Sequence, residues 1–297
     1  MRIKLLTMAL ACTLLASAQN VTITNHAQLL KGTERNAFNP VLSSDGQKLL
    51  FSEDNYQGLK MYDFANDVTV KITDDAMAGF CPTISADGNS VYYLSQERVQ
   101  GRVYRSMKNF NVKGATEKVV VAKERGMLPP VKVKGGVMVV SDKGRKMAAK
   151  ANSKAVYGGI SEMVLVVNGV EKHLAPVATP HMYMWVSLSP DGQKILFYAG
   201  GKGAFVCDLN GKNLVSLGKF TAPAWYGNDF VVAQHSTSDG HQYESSQIML
   251  LKADASFKQA LTKPESMAMN PTASGLANKV VYNTIDGRLF VMELSIK

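Results

Sequence analysis

The chain has 297 residues, of which 46% are hydrophobic and 19% are charged, and its formal net charge is +9. After the first apolar segment, no stretch approaches the ~20 apolar residues that a membrane-spanning helix needs, so no retained helical anchor is expected. The length suits one large all-β domain or two smaller domains. The positive charge favours contact with anionic surfaces and carries no information about the fold.

The N-terminal residues resemble a secretory leader. Arg2 and Lys4 precede an apolar stretch over residues 5–15, and Ala16-Ser17-Ala18 then forms the A-x-A pattern that signal peptidase cuts. We therefore predict a signal peptide over residues 1–18 and a mature chain over residues 19–297, located in the periplasm or secreted. Removing Arg2 and Lys4 lowers the formal net charge from +9 to +7.

The sequence contains three cysteines. Cleavage after Ala18 is favoured over lipid attachment at Cys12, because Ala9 stands three residues before Cys12 and an apolar run follows it. Cys81 and Cys207 fall two repeat units apart. Since bridged Cα atoms must lie within ~7 Å of each other, we expect two buried free thiols.

One phrase recurs along the chain: a short strand, an Asp-Gly turn and a second apolar strand. It appears as NPVLSSDGQKLLFSE from Asn39, CPTISADGNSVYYLS from Cys81 and SLSPDGQKILFYA from Ser187. Asp-Gly supplies the positive φ that a tight hairpin requires. Six units, spaced 37 to 56 residues apart, align on the residue five positions before the turn: Pro40, Pro82, Pro130, Val186, Pro223 and Pro271.

Each unit is expected to contain four strands. The second strands are predicted at residues 48–52, 90–94, 137–141, 194–198, 230–233 and 279–283. Third strands follow as LKMYDF, AFVCDL and LFVMEL, and fourth strands as VTVKIT, KVVVA, LVSLG and FKQALT. Four strands at this period are typical of a β-propeller blade.

The sixth unit reaches Lys297 directly after its third strand, whereas VTITN at residues 21–25 belongs to no unit. An open ring would leave an unpaired edge, which native sheets avoid. We therefore predict that the N-terminal strand completes the last blade and closes the ring.

The repeated phrase resembles that of a known family. The S-P-D-G-x-x-I-L-F segment from Ser189, together with the Ile72-Thr73 and Leu261-Thr262 steps, is similar to the TolB-type propeller, a WD-like repeat family. The resemblance implies an all-β, six-bladed propeller of four-stranded antiparallel blades over residues 19–297, without the additional N-terminal domain of TolB. Such propellers serve as scaffolds, sugar enzymes and regulatory domains, so the resemblance predicts the fold and leaves the function open.

Strand alternation predicts two different faces. The Asp-Gly hairpins share one face, where Asp45, Asp87 and Asp191 are expected to form turns. The second-to-third loops and the blade-to-blade links share the other face, which collects methionines and aromatic residues typical of an adaptable binding surface. Tyr183, Trp185 and Trp225 are candidates there, although packing between blades is favoured for both tryptophans.

A basic segment is expected to form the longest loop of this second face. It runs from Ser141 to Met163 in the third unit and contains Arg145, Lys146, Lys150 and Lys154. An acidic protein surface, a phosphate group or an anionic glycan could bind it, and the alternative is a solvated mobile loop. No nucleic acid is expected, because aromatic residues are not interleaved with the charges.

The histidines form no metal-binding motif. His181, His235, Asp239 and His241 are predicted on the same face, where they could bind a divalent metal or transfer protons, or remain solvent-exposed without a role. We expect no cofactor and no catalytic residue.

Two functions remain open on the sequence alone. The first is an exported, monomeric and non-enzymatic propeller that binds another envelope or secreted protein through the loop face. The alternative is a carbohydrate-directed enzyme or lectin that uses the channel mouth, with or without a divalent metal.

Overall fold

The computed structural model describes residues 20–31, 36–128, 130–133, 136–140, 146–147, 154–178 and 182–297. Within these residues the chain is built from β-strands, and its two helices are three-residue 3₁₀ turns at Asp54–Tyr56 and Pro264–Ser266. Neither helix of this described part is long and apolar enough to cross a membrane.

Five repeat units form four-stranded antiparallel blades in which each strand pairs with the next. The N-terminal strand is β1 (Val21–Gln28). Blade 1 contains β2 (Phe38–Leu42), β3 (Lys48–Ser52), β4 (Leu59–Asp63) and β5 (Val68–Thr73), and blade 2 contains β6 (Thr83–Ile84), β7 (Ser90–Val99), β8 (Arg102–Asn111) and β9 (Thr116–Glu124).

The third unit differs from the others, because its described residues form two three-stranded sheets. The first sheet contains β10 (Pro130–Val133), β11 (Gly136–Val139) and β12 (Lys146–Met147). The second contains β13 (Lys154–Gly158), β14 (Met163–Val167) and β15 (Val170–Leu174).

The remaining three units again form four-stranded blades. Blade 4 contains β16 (Tyr183–Leu188), β17 (Lys194–Ala199), β18 (Gly203–Asp208) and β19 (Val215–Gly218). Blade 5 contains β20 (Thr221–Tyr226), β21 (Phe230–Ser238), β22 (Tyr243–Lys252) and β23 (Lys258–Ala260). Blade 6 contains β24 (Ala268–Ser274), β25 (Lys279–Thr284), β26 (Leu289–Ile296) and, as its outer strand, β1.

The sheets form a ring around their first strands. Strand β24 contacts both β2 and β20, and β20 in turn contacts β16, so these strands surround the axis. The chain is therefore an all-β, six-bladed propeller whose third blade is divided between two sheets.

The predicted ring closure is confirmed. Strand β1 pairs antiparallel with β26 from Val21 opposite Ile296 to Gln28 opposite Phe290. Val21 is buried in one hydrophobic cluster with Leu294 and with Tyr226 of blade 5. The N-terminal strand therefore contributes both the outer edge of blade 6 and part of its core.

Hydrophobic clusters lie between neighbouring blades. Leu49 and Phe51 of blade 1 pack with Val281 of blade 6, and Leu196 of blade 4 packs with Val231 of blade 5. Burial of each such side chain contributes about 1.5–3 kcal/mol. Each blade thus buries its faces against its neighbours.

The division of the third unit corrects the prediction of a long loop between residues 141 and 163. Strand β13 begins inside that segment and pairs with β14, with Lys154 opposite Val167 and Gly158 opposite Met163. Ala155 and Val156 are buried, so this short apolar run packs in the core as part of a strand. The KAVY sequence from Lys154 also matches KLLF at residues 48–51 and KVVY at residues 279–282, which is the signal of a second strand.

The Asp-Gly turns form as predicted. In blade 2, Ser85 Oγ donates to Asp87 Oδ1 at 2.5 Å, and the same oxygen accepts the backbone N–H of Asn89 at 3.0 Å. Ser43 and Ser189 make the equivalent bonds to their aspartates at 2.6 and 2.5 Å. These carboxylates therefore cap hairpins.

Lysines at the start of second strands bond the first-to-second turn of the following blade. Lys194 Nζ donates to Asn228 O at 3.1 Å, Lys279 Nζ to Gly46 O at 3.2 Å, and Lys154 Nζ to Gly192 O at 3.1 Å. The lysine contacts connect blade 4 to blade 5, blade 6 to blade 1 and the second sheet of the third blade to blade 4.

Cys81 and Cys207 are both free, as predicted. Cys207 is buried, and desolvation raises the pKa of its thiol to about 12. Cys81 is exposed, so the prediction that it is buried is wrong. The reason is its place directly before Pro82, where the first strand has not yet begun to pair.

The Asp87 turn predicts a specific acid response. Hydrogen bonds from the Ser85 hydroxyl, the largest cause, and from Asn89 lower the pKa of Asp87 from 3.8 to about 2. Because the folded pKa is depressed, the ionised carboxylate stabilises the turn above about pH 4, and this stabilisation is lost as the pH falls towards 2. NMR titration of the carboxyl carbon should give a midpoint near 2 that rises towards 3.8 in Ser85→Ala; an unchanged midpoint would contradict the assignment.

Ring closure predicts a stabilising disulfide between the terminal strands. Thr22 faces Ser295 across the β1–β26 ladder, a spacing of about 5.5 Å between Cα atoms that a disulfide can bridge. The oxidised Thr22→Cys/Ser295→Cys protein should gain about 2–4 kcal/mol of unfolding free energy over its reduced form. Each single cysteine variant serves as a control. Equal stability of the oxidised and reduced double variant would show that the strands do not close the ring.

Candidate functional site

The structure has two distinct faces around the axis. On the turn face, the first-to-second hairpins of neighbouring blades contact one another: Ser274 Oγ of blade 6 donates to Ser44 O of blade 1 at 2.7 Å. On the link face, second-to-third loops meet the blade links, as where Gly79 N donates to Tyr56 O at 3.1 Å. This arrangement agrees with the sequence-based expectation.

The first strands share a break in pairing at one level of the ring. In blades 1, 4, 5 and 6 the ladder to the second strand skips two residues, which are Asn39-Pro40, Trp185-Val186, Ala222-Pro223 and Asn270-Pro271. Proline has no N–H to donate, so inside a sheet it is tolerated at a β-bulge. The repeated proline therefore marks a bulge.

Each bulge holds a residue in the left-handed conformation. The φ angles are 54° for Asn39, 49° for Trp185, 46° for Ala222 and 51° for Asn270, and Cys81 before Pro82 has 51°. For a non-glycine residue this conformation costs about 1 kcal/mol or more. We call these five residues the bulge ring; the sequence analysis missed it, although the prolines signalled its position.

The bulge turns these side chains towards the second strand of the same blade. Asn39 Nδ2 donates to Ser52 Oγ at 3.3 Å, and Asn270 Nδ2 donates to Asn283 Oδ1 at 3.2 Å. In blade 4 the Trp185 ring meets the Tyr198 ring edge-to-face with 5.5 Å between centroids.

Buried amides support the bulge ring in blades 5 and 6. Gln234 Oε1 accepts the backbone N–H of Asn270 at 3.1 Å, while its Nε2 donates to Ser236 Oγ at 3.2 Å. Asn283 Nδ2 donates to Thr284 O at 3.1 Å. Buried polar networks in which every group is hydrogen-bonded make a structure rigid, so the bulge ring is preorganised at blades 5 and 6.

Tyr183 and Trp225 do not lie on the surface. Tyr183 is buried against Phe197, and its hydroxyl accepts the N–H of Val177 at 3.3 Å. Trp225 is 8% exposed and its Nε1 donates to Ser187 O of blade 4 at 3.4 Å. The prediction of Tyr183 as a binding residue is wrong, because its ring fills the core between β13 and β16. For Trp225 the favoured packing role is confirmed.

For Trp185 the favoured packing role is wrong. Trp185 is 46% exposed, because the bulge rotates it out of the alternation that would bury it. The structure therefore separates two tryptophans that the sequence placed in equivalent or neighbouring positions.

The proposed histidine cluster does not assemble among the described residues. His235 lies within β21, beside Phe220 at 5.5 Å between ring centroids, and not in a loop. Asp239 and His241 lie at the hairpin tip, four or more residues further, which corresponds to about 13 Å of extended strand. Asp239 Oδ1 accepts the backbone N–H groups of Gln242 and His241, both at 2.8 Å, which lower its pKa and make it a turn cap.

In the described part of the chain, no group of three His, Cys, Asp or Glu residues is placed to hold a metal ion. His181 lies outside the described residues.

Lys154 lies on the turn face, where its ammonium group reaches Gly192 O. Its prediction as a loop-face residue is wrong, because β13 starts at the turn face and runs towards Tyr183, whose N–H bonds Gly159 O at 2.9 Å. Arg145 and Lys150 lie outside the described residues, and Lys146 is described only as part of the β12 backbone.

Two hairpins extend further than the others on the link face. Strands β7 and β8 have 10 residues each and β21 and β22 have 9 and 10, whereas β3 has 5 and β17 has 6. Because of this extension, Gln96 and His235 lie within strands. The channel mouth is therefore flanked by the long hairpins of blades 2 and 5.

Solved structures share this fold. TolB from Acinetobacter baumannii superimposes with a TM-score of 0.50 at 16% identity, covering 75% of this chain and 53% of that one. A TolB-like protein from Agrobacterium tumefaciens gives 0.51 at 18% identity, covering 88% and 90%. An oligogalacturonate lyase from Vibrio parahaemolyticus gives 0.56 at 12% identity, covering 92% and 98%.

In fold, the chain is similar to the TolB-type propellers. It spans about half the length of the Acinetobacter TolB. No protein-family model and no curated protein sequence matches it. At these identities the TolB-type likeness describes the architecture, and the function has to be argued from the residues.

The exposure of the two tryptophans predicts their response to a quencher. Iodide should quench Trp185, which is exposed at the mouth, and should leave the buried Trp225 almost unaffected. Fluorescence titration of Trp185→Phe should therefore lose most of the iodide-sensitive emission, and Trp225→Phe should retain it. Equal quenching of both variants would contradict the placement of Trp185.

Proposed function

We propose that this chain is an exported, non-enzymatic propeller that binds a partner protein of the cell envelope through its link face. The bulge ring carries the proposal. The four bulge residues and Cys81, which lies just before β6, retain a costly left-handed backbone, and residues strained in this way cluster at active sites and ligand clamps.

The exposed apolar side chains of the link face support a protein partner. Trp185 stands at the mouth, and the blade links and adjoining loops add exposed Tyr56, Met127, Ile160 and Met182. Tryptophan is enriched among residues that dominate binding energy, and methionine adapts to irregular partner surfaces. A rigid ring presenting such anchors binds at a low cost in conformational entropy.

The exposed polar residues of the long blade 5 hairpin complete the proposed surface. His235, Asp239 and His241 are exposed on the link side of blade 5 and would form its polar rim. Arg145, Lys146 and Lys150 remain predicted contributors from the sequence. The fold shared with TolB is compatible with such a scaffold, and export follows from the predicted leader over residues 1–18.

Glycan binding is the second candidate function. An exposed Trp185 against Tyr198, and the amides of Asn39 and Asn270 in other blades of the bulge ring, are aromatic and hydrogen-bonding groups of the kind that sugar rings contact. The oligogalacturonate lyase shares the fold alone.

The anchor role of Trp185 predicts a loss of partner binding. A photo-crosslinking residue at position 185 should capture a defined envelope protein, and Trp185→Ala should weaken its binding about 30-fold, the effect of losing ~2 kcal/mol. Leu276, 84% exposed on the turn face, is the matched control position. The protein recovered from the envelope fraction should begin at Gln19.

Equal capture from positions 185 and 276, or unchanged affinity of Trp185→Ala at an unchanged unfolding midpoint, would reject the link face. A glycan panel containing oligogalacturonate separates the two candidates. Sugar binding that is lost in Trp185→Ala would identify the second function.

A further inference from the structure

A cleft of about 270 Å³ opens on the turn face between blades 4 and 5. Apolar atoms of Val206, Val215 and Ala253 form its floor, and Asp208, Asp229 and Asp254 stand at its rim. The cleft lies on the face opposite the bulge ring and is independent of the function proposed for the link face.

The repeat explains why the cleft exists. In each blade compared, a residue at the end of the third strand donates its backbone N–H to the carbonyl oxygen of the residue that precedes the second strand. In blade 1 Phe64 donates to Gln47 O at 3.0 Å, and in blade 5 Ala253 donates to Asp229 O at 2.8 Å. Val112 and Leu294 make the same bond in blades 2 and 6, at 2.8 and 2.9 Å. Ala253 thus stands where the equivalent blades carry a large apolar side chain.

The groove between blades 6 and 1 shows what fills this space elsewhere. There the ring of Phe64 lies under the ammonium group of Lys279, 4.1 Å from the ring centroid, and packs against the core of blade 1. Lys194 has the equivalent position above the blade 4–5 groove and reaches Asn228 O and Asp229 Oδ1, both at 3.1 Å. The cleft therefore lies where Phe64 fills the equivalent groove between blades 6 and 1.

The charges at the rim favour a cation. The side chains of Asp229 and Asp254 are 70% and 59% exposed, whereas those of Lys194 and Lys252 are 36% and 34% exposed. Lys194 pairs with Asp229, and Lys252 pairs with Asp254 at 3.6 Å, so the carboxylate of Asp208 leaves one negative charge in excess among the lining residues. The Asp208 carboxylate is held by the backbone N–H groups of Lys212 and Asn210, at 2.9 and 2.7 Å. The outermost charges are carboxylates on a chain that is positive overall.

We propose that the cleft binds a peptide segment of a partner protein that presents an aromatic side chain next to an arginine or lysine. The aromatic ring takes the place that Phe64 occupies in the blade 6–1 groove, against Val206 and Val215. The adjacent cation meets the carboxylates of Asp208, Asp229 and Asp254, where opposite charges attract at the surface and are screened by salt. This chain then binds partners on both faces.

Three capped dipeptides test the two parts of the proposal on the mature chain. Acetyl-Phe-Arg-amide carries both groups, acetyl-Phe-Glu-amide reverses the charge, and acetyl-Gly-Arg-amide lacks the ring. NMR titration of the Ala253, Val206 and Val215 methyl signals should give the first peptide an affinity at least 10-fold higher than either of the others, with the advantage falling as salt increases.

Ala253→Phe should abolish the response by filling the cleft with the side chain found at the equivalent position of blade 1. Ala253→Ser is the matched control, which leaves the volume open and should keep the ranking of the peptides. If Ala253→Phe fails to fold, Asp208→Asn/Asp229→Asn should still remove the preference for arginine over glutamate.

Equal affinity for all three peptides, no shift at 10 mM, or undiminished binding in folded Ala253→Phe would overturn the proposal. Trp185→Ala should leave the peptide affinities unchanged, so the outcome is independent of the link face.

Discussion

The pairing of β1 with β26 is the interaction on which the rest of the ring depends. Without it, β26 would present an open edge and Val21 would be missing from the cluster it shares with Tyr226 and Leu294. Because every blade buries its faces against two neighbours, loosening one junction weakens support for the next. A strand from one end of the chain and three from the other thus make one blade.

A second constraint acts at the axis. Proline recurs in the first strands at the place where the ladder to the second strand breaks, and the preceding residue adopts the left-handed conformation. A bulge that repeats around a ring displays its residues at one height. The same bulge carries asparagine in two blades, alanine in another and tryptophan in a fourth, so the side chains of the ring vary while its backbone stays constant.

The connections on the two faces have different roles. On the turn face the aspartates are hydrogen-bonded to serine hydroxyls and backbone N–H groups, and lysines join successive blades, so most of the charge there is used in holding the ring together. On the link face the connections are longer and expose methionine and aromatic side chains. Ala253 is an exception on the turn face, since it leaves unfilled a space that the repeat fills elsewhere.

Short-range patterns in the sequence determined the propeller, the Asp-Gly hairpins and the closing strand, because turn chemistry, strand alternation and an unpaired edge are all legible along the chain. The tertiary structure alone decided which residues face solvent. Tyr183 and Trp185 are two residues apart, yet one fills the core and the other is exposed at the mouth, since a bulge between them and their partners shifts the alternation.

The same reason explains the remaining differences from the sequence-based expectations. The many basic residues between 141 and 163 predict that Lys154 belongs to a loop of the link face. Strand β13, which pairs with β14, instead begins at Lys154 on the turn face. His235 and Asp239 are close in sequence, and the extension of β21 separates them. Composition and spacing determined the blades; the register between strands, which depends on contacts distant in sequence, decided where each functional side chain lies.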